Sequence, residues 1–347
     1  MIDVHTLTDG GQTAAAVASR LAAFLADARR SLDIAIYDFA LGPDTAAPVV
    51  RALKEAASRG VTVRLAFNED HRADTPIPPP SQTDPSFIAS IGVPSRGIPG
   101  IPDLMHQKYV VRDGQTVWTG SMNWTDDSWT REENVIVVGH SPALASAYDR
   151  DFEELWSTGR VLGTGEFNTE WITVDGAPTR PWFSPGRGRS IARRISTAIA
   201  RAGSRVRIAS PVITAGPILS TLVEVAAAGK VNVAGVFDAT QMHQVRRQWR
   251  ADPHATWKIP LFGTLVQGAA FSGKQTTPYG PGTVHDYMHA KVTVADHIVF
   301  MGSYNLSHSG QENAENVLEI NDPALADRMA SFIDALRARY PAISSWG

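Results

Sequence analysis

The feature that most constrains this 347-residue chain is an internal repeat of strand and helix signals. Each copy has a helix, an apolar strand, a second helix and a second strand, in that order. Along the chain these segments are 12–30, 32–39, 52–60 and 61–67 in the first copy, and 191–203, 206–213, 221–230 and 231–237 in the second. Strands that alternate with helices form parallel or mixed sheets covered by helices. The repeat therefore predicts an α/β protein with two mixed β-sheets, flanked by helices and related by a pseudo-two-fold axis.

The repeat also predicts the domain organisation. An N-terminal half, 1–155, and a C-terminal half, 188–347, are joined by a linker, 156–187, that is rich in Gly, Thr and Pro. Two further segments, 75–87 and 263–282, each precede the motif of their half. We expect both to be long irregular loops near the substrate.

Composition limits the class of protein. Charged residues make up 19% of the chain and hydrophobic residues 43%, as expected of a compact globular protein. The formal net charge of −3 excludes a globally basic surface for nucleic acid, although a local basic face remains open. The absence of cysteine excludes disulfides, thiolate metal sites and cysteine nucleophiles.

The same composition bears on location. No segment is apolar for long enough to span a bilayer, and the first residues have neither a basic start nor a hydrophobic run. We therefore expect a soluble protein without a transmembrane segment. A cytoplasmic location is the default expectation, although a chain from which a leader had been removed would have the same sequence.

Each copy ends in the same polar motif, His-x-Lys-x4-Asp followed by Gly-Ser-x-Asn. The two-residue period of a strand places the histidine and the lysine of each copy on one face, where both can contact one ligand. The members are His106, Lys108, Asp113, Ser121 and Asn123 in the first copy, and His289, Lys291, Asp296, Ser303 and Asn305 in the second.

The turn in each motif fixes which residues face each other. In the first copy a two-residue turn that begins at Asp113 predicts that His106 pairs with Ser121. In the second copy a three-residue turn predicts that His289 pairs with Ser303. The histidine, lysine, serine and asparagine of each copy are then expected to form one polar cluster.

Four carboxylates are predicted to support these clusters. Glu-Asn pairs that begin at Glu133 and Glu315 stand at the same distance from the motif asparagines. A carboxylate bonded to one imidazole nitrogen fixes the tautomer of the ring and supports charge on it, the role expected for Glu133 and Glu315. Asp113 and Asp296 lie at turn tips, where short carboxylates usually bind backbone amides, so a structural role is expected for both.

The two motifs, with the Gly-Ser-x-Asn tail and the later Glu-Asn pair, resemble the paired HKD motifs of the phospholipase D superfamily, including its bacterial phospholipase D-like and cardiolipin synthase-like members. The resemblance covers about 12–150 and 188–338. It implies one active site between two similar α/β halves, reaction through a phosphohistidine, and no metal. It also implies that His106 is the nucleophile and that His289 acts first as general acid and then as general base.

The residue types themselves suit phosphodiester cleavage. This reaction needs charge stabilisation on the phosphate oxygens, an in-line nucleophile and a proton for the leaving oxygen. The other histidines show no metal-ligand spacing with acidic partners, so we predict no metal site and no cofactor. The predicted phosphate ligands are Lys108, Lys291, Asn123 and Asn305, with weaker donors in Ser121 and Ser303.

Three substrate hypotheses remain open. The first is a metal-independent phosphodiesterase that hydrolyses phospholipid head groups at a membrane surface, with transphosphatidylation as a variant. The second is a nuclease for DNA or RNA, supported by arginine-rich stretches at 187–207 and 245–250 that solvated helix faces explain equally well. The third, a catalytically inactive binding module, is disfavoured because both motifs are intact. Head-group specificity, the acceptor and the oligomeric state stay open.

Overall fold

The computed structural model describes residues 2–69, 82–280 and 282–346, and its strands and helices alternate as the sequence predicts. Up to the end of the first repeat the elements are β1 Ile2–Leu7, α1 Ala14–Ala26, β2 Ser31–Ile36, β3 Phe39–Ala40, α2 Pro43–Ser58, β4 Thr62–Glu69, α3 Pro85–Ile91, β5 Ser95–Pro99, β6 Lys108–Arg112, β7 Thr116–Gly120, β8 Trp124–Thr125, α4 Asp126–Thr130, β9 Asn134–His140 and α5 Pro142–Thr158. They continue with β10 Ile172–Val174, β11 Ala177–Ser184, α6 Gly188–Arg201, β12 Arg205–Ser210, α7 Gly216–Ala228, β13 Asn232–Asp238, α8 Ala239–Ala251, α9 Lys258–Gly268, β14 Ala270–Lys274, β15 Val292–Ala295, β16 Ile298–Gly302, α10 His308–Glu312, β17 Glu315–Asn321, α11 Pro323–Arg339 and β18 Ala342–Ile343.

The strands form two large mixed sheets. The first has the order β1-β9-β7-β6-β2-β4-β5, and the second has the order β10-β11-β17-β16-β15-β12-β13-β14-β18. Six strands correspond one to one, because β9-β7-β6-β2-β4-β5 repeats as β17-β16-β15-β12-β13-β14. Within each set the last three strands are parallel and the others antiparallel. The predicted α/β class, with two mixed sheets that repeat the same strand order, is confirmed.

Local sequence accounts for the main elements. Helix α1 begins after Thr13, whose side chain accepts a hydrogen bond from the amide of Ala16. Helix α5 ends at Gly159, whose φ of 67° lies in the left-handed region that glycine adopts without strain. Strand β2 lies between β4 and β6 and is almost entirely buried, as its continuous apolar run predicts. None of the helices in the described residues has the length and apolar character needed to cross a bilayer.

Three apolar clusters hold the elements together. One cluster joins the first sheet to α1, α2 and α3, and a second joins the second sheet to α6, α7 and α9. The third contains residues of both sheets, such as Val111 and Val294, together with residues of α5 and α11. The two halves therefore share one core, and the ends of β6 and β15 that carry the motifs lie beside it.

The predicted linker and one of the two predicted irregular loops contain regular structure. The predicted linker, 156–187, contains β10 and β11, and β11 pairs with β17 inside the second sheet. Residues of β11 alternate between buried and more exposed positions, as expected of a strand with one face on the core. The predicted loop at 263–282 contains the end of α9 and the whole of β14. Most of the other predicted loop, 75–81, lies outside the described residues.

The motif hairpins have different turns from those predicted. In the first copy Arg112 pairs with Thr116, which leaves three residues in the turn. In the second copy Ala295 pairs with Ile298, which leaves two. Both predicted pairings of a motif histidine with a motif serine were therefore wrong by one residue. The aspartate at each turn binds three successive backbone amides of the segment before the neighbouring strand, and these bonds place the turn.

Candidate active site

Each motif histidine lies where its own half contacts the other. The backbone amide of His106 donates to the carbonyl of Ala314, 2.9 Å away, just before β17. On the opposite side Glu133 forms an isolated bridge with Met288, the residue before His289. Both imidazoles are therefore placed by backbone contacts between the halves.

The imidazole of His106 is paired with a carboxylate from the other half. Its Nδ1 lies 2.8 Å from Oε2 of Glu315, and both side chains are buried. Because a carboxylate accepts, Nδ1 carries the proton and Nε2 keeps its lone pair. The ring of Tyr37 packs against the imidazole, with 4.8 Å between centroids. His106 therefore presents an oriented, unprotonated Nε2.

The imidazole of His289 has an amide as its nearer partner. Its Nδ1 lies 3.0 Å from Oδ1 of Asn134 and 3.3 Å from Oε2 of Glu132. The amide nitrogen of Asn134 donates to the same carboxylate, 3.2 Å away. The two histidines thus have different surroundings although their motifs are the same.

One of the two predicted contacts between a glutamate and an imidazole was wrong. Glu315 contacts an imidazole as expected, but Glu133 contacts neither. Its carboxylate pairs instead with Nζ of Lys274 at 3.0 Å and accepts from the hydroxyl of Tyr340. The carboxylate beside His289 belongs to Glu132, for which the sequence predicted no role.

The cause is one additional residue before β9. The amide of Ser121 donates to the carbonyl of Val135, whereas the amide of Ser303 donates to that of Asn316. In this backbone alignment Asn134 is equivalent to Glu315, and Glu132 is equivalent to Asn313. The side-chain amide of Asn313 donates to Glu315 at 3.3 Å. The carboxylate and the amide have exchanged positions between the halves. The doublet Glu132-Glu133 is the one sequence signal that a second register was available.

The motif lysines are buried beside the histidines. Nζ of Lys108 donates to the carbonyl of His106 at 2.8 Å, and Nζ of Lys291 donates to that of His289 at 2.5 Å. Burial lowers the pKa of Lys108 to about 7, although Glu315 and other carboxylates favour its charged form. Burial and the charge of Lys108 also lower the pKa of Lys291 well below its usual value.

The histidines respond to both lysines. Burial lowers the pKa of His106 to about 4, with Glu315 opposing this shift and both lysines adding to it. Burial and then Lys291 and Lys108 lower the pKa of His289 well below its usual value. Because each lysine acts on both imidazoles, the two motifs contribute to one site. At neutral pH both imidazoles are neutral in the free protein.

The remaining predicted phosphate ligands differ in their hydrogen bonds. Among the described residues, the buried Oδ1 atoms of Asn123 and Asn305 have no hydrogen-bond partner, so these amides can turn toward a ligand. The hydroxyl of Ser121 already donates to Asn134 at 2.6 Å. The hydroxyl oxygen of Ser303 accepts from the amide of Asn316 at 3.0 Å. Both serines thus contact the strand that holds an imidazole partner.

The turn aspartates lie away from the imidazoles. The carboxylate of Asp113 accepts from the amides of 29–31, and that of Asp296 accepts from the amides of 203–205. Partial burial raises the pKa of each carboxyl, but the amide donors outweigh it and lower the pKa below the usual value. These contacts agree with the structural role expected for both residues.

Comparison with known proteins shows the family. The family described as "Cardiolipin synthase, PLD-like domain" matches residues 21–156 and 195–337. The mitochondrial cardiolipin hydrolase of Xenopus laevis is 33% identical over 138 residues, which cover 40% of this chain and 60% of that protein. Phospholipase D Z of Dictyostelium discoideum is 25% identical over 163 residues, which cover 42% of this chain and 36% of that protein.

A solved structure supports the fold over nearly the whole chain. The crystal structure of phosphatidylserine synthase from Haemophilus influenzae superimposes with a TM-score of 0.69 at 13% identity. The match covers 98% of this chain and 86% of that one. At this identity the likeness concerns the fold alone.

Proposed function

The chain belongs to the phospholipase D superfamily, in the family of cardiolipin synthase, PLD-like domains, and from this membership we propose that it is a phosphodiesterase that acts through a phosphohistidine. One observation carries the proposal. Two buried neutral imidazoles, each held at Nδ1 by an acceptor from the other half, share one site with two buried lysines. This arrangement suits phosphorus as the electrophile.

The proposed reaction has two steps. Nε2 of His106 attacks phosphorus, the bond to the leaving oxygen breaks, and His289 gives that oxygen a proton. Water then attacks the phosphorus of the phosphohistidine and gives a proton to His289. The bond between phosphorus and Nε2 of His106 breaks, and the phosphate product is released. His289 needs its first proton from solution, and the negative phosphate favours that uptake by raising its pKa.

The asymmetric surroundings support the assignment of His106 as nucleophile. Positive charge develops on the imidazole that bonds to phosphorus, and the carboxylate of Glu315 at 2.8 Å stabilises that charge. His289 has the neutral Asn134 as its nearer partner and can gain and lose a proton more readily. Lys108 and Lys291 stabilise the phosphate oxygens in place of a divalent cation.

We propose phospholipid as the first substrate class and hydrolysis as the first outcome. The support is the activity of the relatives, among them mitochondrial cardiolipin hydrolases, although the matched segment covers 60% or less of the length of these relatives. A phosphohistidine reacts with any hydroxyl that reaches it, so transfer to an alcohol remains a variant of the same chemistry.

The alternative substrate is nucleic acid. Several arginines of 187–207 are paired with carboxylates, Arg194 with Glu319 and Arg207 with Asp334. These pairs reduce the positive charge that a phosphate backbone would meet, so the arginine-rich stretch lends the nuclease less support than its sequence does.

A parallel assay tests the proposal. Wild type and His106→Ala are incubated with cardiolipin or phosphatidylcholine vesicles, bis(4-nitrophenyl) phosphate and single-stranded DNA, each with and without EDTA. We expect wild-type cleavage of a vesicle lipid and of the nitrophenyl ester, undiminished by EDTA and absent from the variant. Loss on chelation with rescue by zinc or magnesium would refute metal independence. DNA cleavage that falls steeply with salt, without lipid turnover, would favour the nuclease.

A further inference from the structure

A chain of buried hydrogen bonds lies directly behind the pair of His106 and Glu315. Gln107 follows the histidine and Asn316 follows the glutamate, and the amide nitrogen of Asn316 donates to Oε1 of Gln107 at 2.7 Å. The amide nitrogen of Gln107 donates in turn to Oδ2 of Asp151 at 3.0 Å. The bond between Gln107 and Asn316 therefore joins the residues that follow His106 and Glu315. Asp151, at the end of these bonds, belongs to α5.

Further donors join this chain from both sides, although Oδ1 of Asp151 has no hydrogen-bond partner among the described residues. The hydroxyl of Tyr109 donates to the same oxygen of Asp151 at 2.8 Å. The hydroxyls of Thr119 and Tyr148 donate to Oδ1 of Asn316 at 2.8 Å and 3.0 Å. Asn316 and Asp151 are fully buried, and the chain lies within the core that the two halves share. We call these six residues the buried polar chain, and they are Gln107, Tyr109, Thr119, Tyr148, Asp151 and Asn316.

The buried polar chain has no counterpart in the other copy of the repeat. Strand register and helix starts place apolar residues at the equivalent positions. These are Ala290 for Gln107, Val292 for Tyr109, Met301 for Thr119, Met329 for Tyr148, Phe332 for Asp151 and Val135 for Asn316. Polar groups in a core must all be satisfied to avoid a large free-energy cost, and apolar side chains fill the equivalent space without that cost. The asymmetry therefore calls for a role that only one of the two sites needs.

We propose that the buried polar chain positions His106 and Glu315 against each other, and that this makes His106, rather than His289, the residue that bonds to phosphorus. The inference rests on the proposed function. Side chains at 106 and 107 project to opposite faces, as do those at 315 and 316, so a bond on the rear face fixes the rotation of both backbones. The equivalent rear face behind the second imidazole is apolar, so His289 lacks this additional constraint and is positioned by Asn134 and Glu132.

These residues act through others and do not touch the substrate. A nucleophile must keep its lone pair aligned with phosphorus, and small misplacement is costly to the rate. A general acid needs less exact placement, since protons transfer over a range of hydrogen-bond geometries. Loss of the chain should therefore slow phosphorylation of the enzyme and leave substrate binding nearly unchanged.

The test replaces Gln107 and Asn316 with the apolar residue types found at the equivalent positions of the repeat. Gln107→Ala with Asn316→Val is compared with wild type in single-turnover reactions with bis(4-nitrophenyl) phosphate, whose leaving group departs without a proton. Mass spectrometry measures the rate of phosphohistidine formation. We expect this rate to fall by roughly 10- to 100-fold, with KM within about twofold of wild type. Asp151→Asn, which keeps the acceptor oxygen, should retain activity that Asp151→Ala loses.

Two controls separate positioning from general loss of structure. Ser272→Ala removes a partly buried hydrogen bond to the carbonyl of Arg337, remote from the motifs, and should leave the rate unchanged. Nitrogen-15 spectra of the imidazoles, with the His106 signal assigned by a His106→Gln variant, should show one Nδ1-protonated tautomer in wild type and a mixture in the double variant.

The outcomes are distinguishable. An unchanged tautomer together with a rate within twofold of wild type, or an equal loss in Ser272→Ala, would overturn the positioning role. If wild type forms no adduct and cleaves none of the phosphodiesters, the proposed function fails. The tautomer comparison then still decides whether the buried polar chain orients His106.

Discussion

Two adjacent glutamates that look alike in sequence have opposite surroundings. Oε2 of Glu132 lies 3.3 Å from Nδ1 of His289, and burial raises the pKa of its carboxyl to about 7. Glu133 lies outside the site, where its carboxylate is the buried partner of Lys274. We therefore expect Glu132 to affect proton transfer and Glu133 to affect stability.

Glutamine substitutions should separate these roles. Glu132→Gln should slow turnover of a substrate with an alkyl leaving group, such as phosphatidylcholine, by roughly 10- to 100-fold, because His289 loses support for its charged form. In the same variant, the phosphorylation step with a nitrophenyl ester should proceed at nearly the wild-type rate, because that leaving group departs without a proton. Glu133→Gln should leave both rates nearly unchanged and cost about 3 kcal/mol of stability, because Lys274 loses its buried partner. Rate assays and denaturant unfolding check the pair, and the reverse pattern would return the site role to Glu133.

The pH dependence of the first step follows from two shifted groups. His106 has a pKa lowered to about 4, so this proposed nucleophile is neutral above that pH and protonated below it. Lys108 has a pKa lowered to about 7, so its charge is present below that pH and lost above it. The value of kcat/KM for a nitrophenyl ester should therefore rise through about pH 4 and fall through about pH 7, as a profile of the coupled site.

An arginine at the lysine position provides the control for this profile. Arginine stays charged over the whole range, so Lys108→Arg should move the falling limb to higher pH even if its geometry lowers the maximum rate. A falling limb that stays in place would show that another group controls it.

At the scale of elements, the sequence predicts well what periodicity and repetition encode. The repeated order of helix, strand, helix and strand in each half and the hairpin that carries each motif follow from apolar runs and their recurrence. That His106, Lys108, His289 and Lys291 share one site was implied by the resemblance to the phospholipase D superfamily, because the spacing within each motif does not relate the two motifs to each other.

Register is where prediction from the sequence failed. A shift of one residue turns every side chain of a strand to the other face, and matching letters do not reveal such a shift. The Glu-Asn pairs match in sequence, yet β9 and β17 are aligned by their hydrogen bonds to β7 and β16, which place Asn134 opposite His289. The buried polar chain was missed for a related reason. Gln107 is the variable position of its His-x-Lys motif, and Asn316 belongs to a Glu-Asn pair in which only the glutamate was given a role. The two residues are far apart in sequence, and only the packing of the two halves brings them together.

At the scale of the whole molecule, the halves share their central core. Residues of both sheets and of α5 and α11 form one apolar cluster, and buried polar contacts cross it, such as that between Gln107 and Asn316. Separating the halves would expose an apolar face on each sheet and leave these polar groups without partners. Neither half can therefore be stable alone to the extent that the pair is.

This shared core predicts cooperative unfolding, although chains much longer than about 150 residues often unfold in separate steps. Leu25 is fully buried between α1 and the first sheet, and Leu222 is fully buried between α7 and the second sheet. Leu25→Ala and Leu222→Ala should each cost roughly 2–5 kcal/mol by opening a cavity. We expect differential scanning calorimetry to show one transition for wild type, and each substitution to move that whole transition to lower temperature. Two transitions, with each substitution moving only the one that belongs to its own half, would show that the central core does not couple the halves.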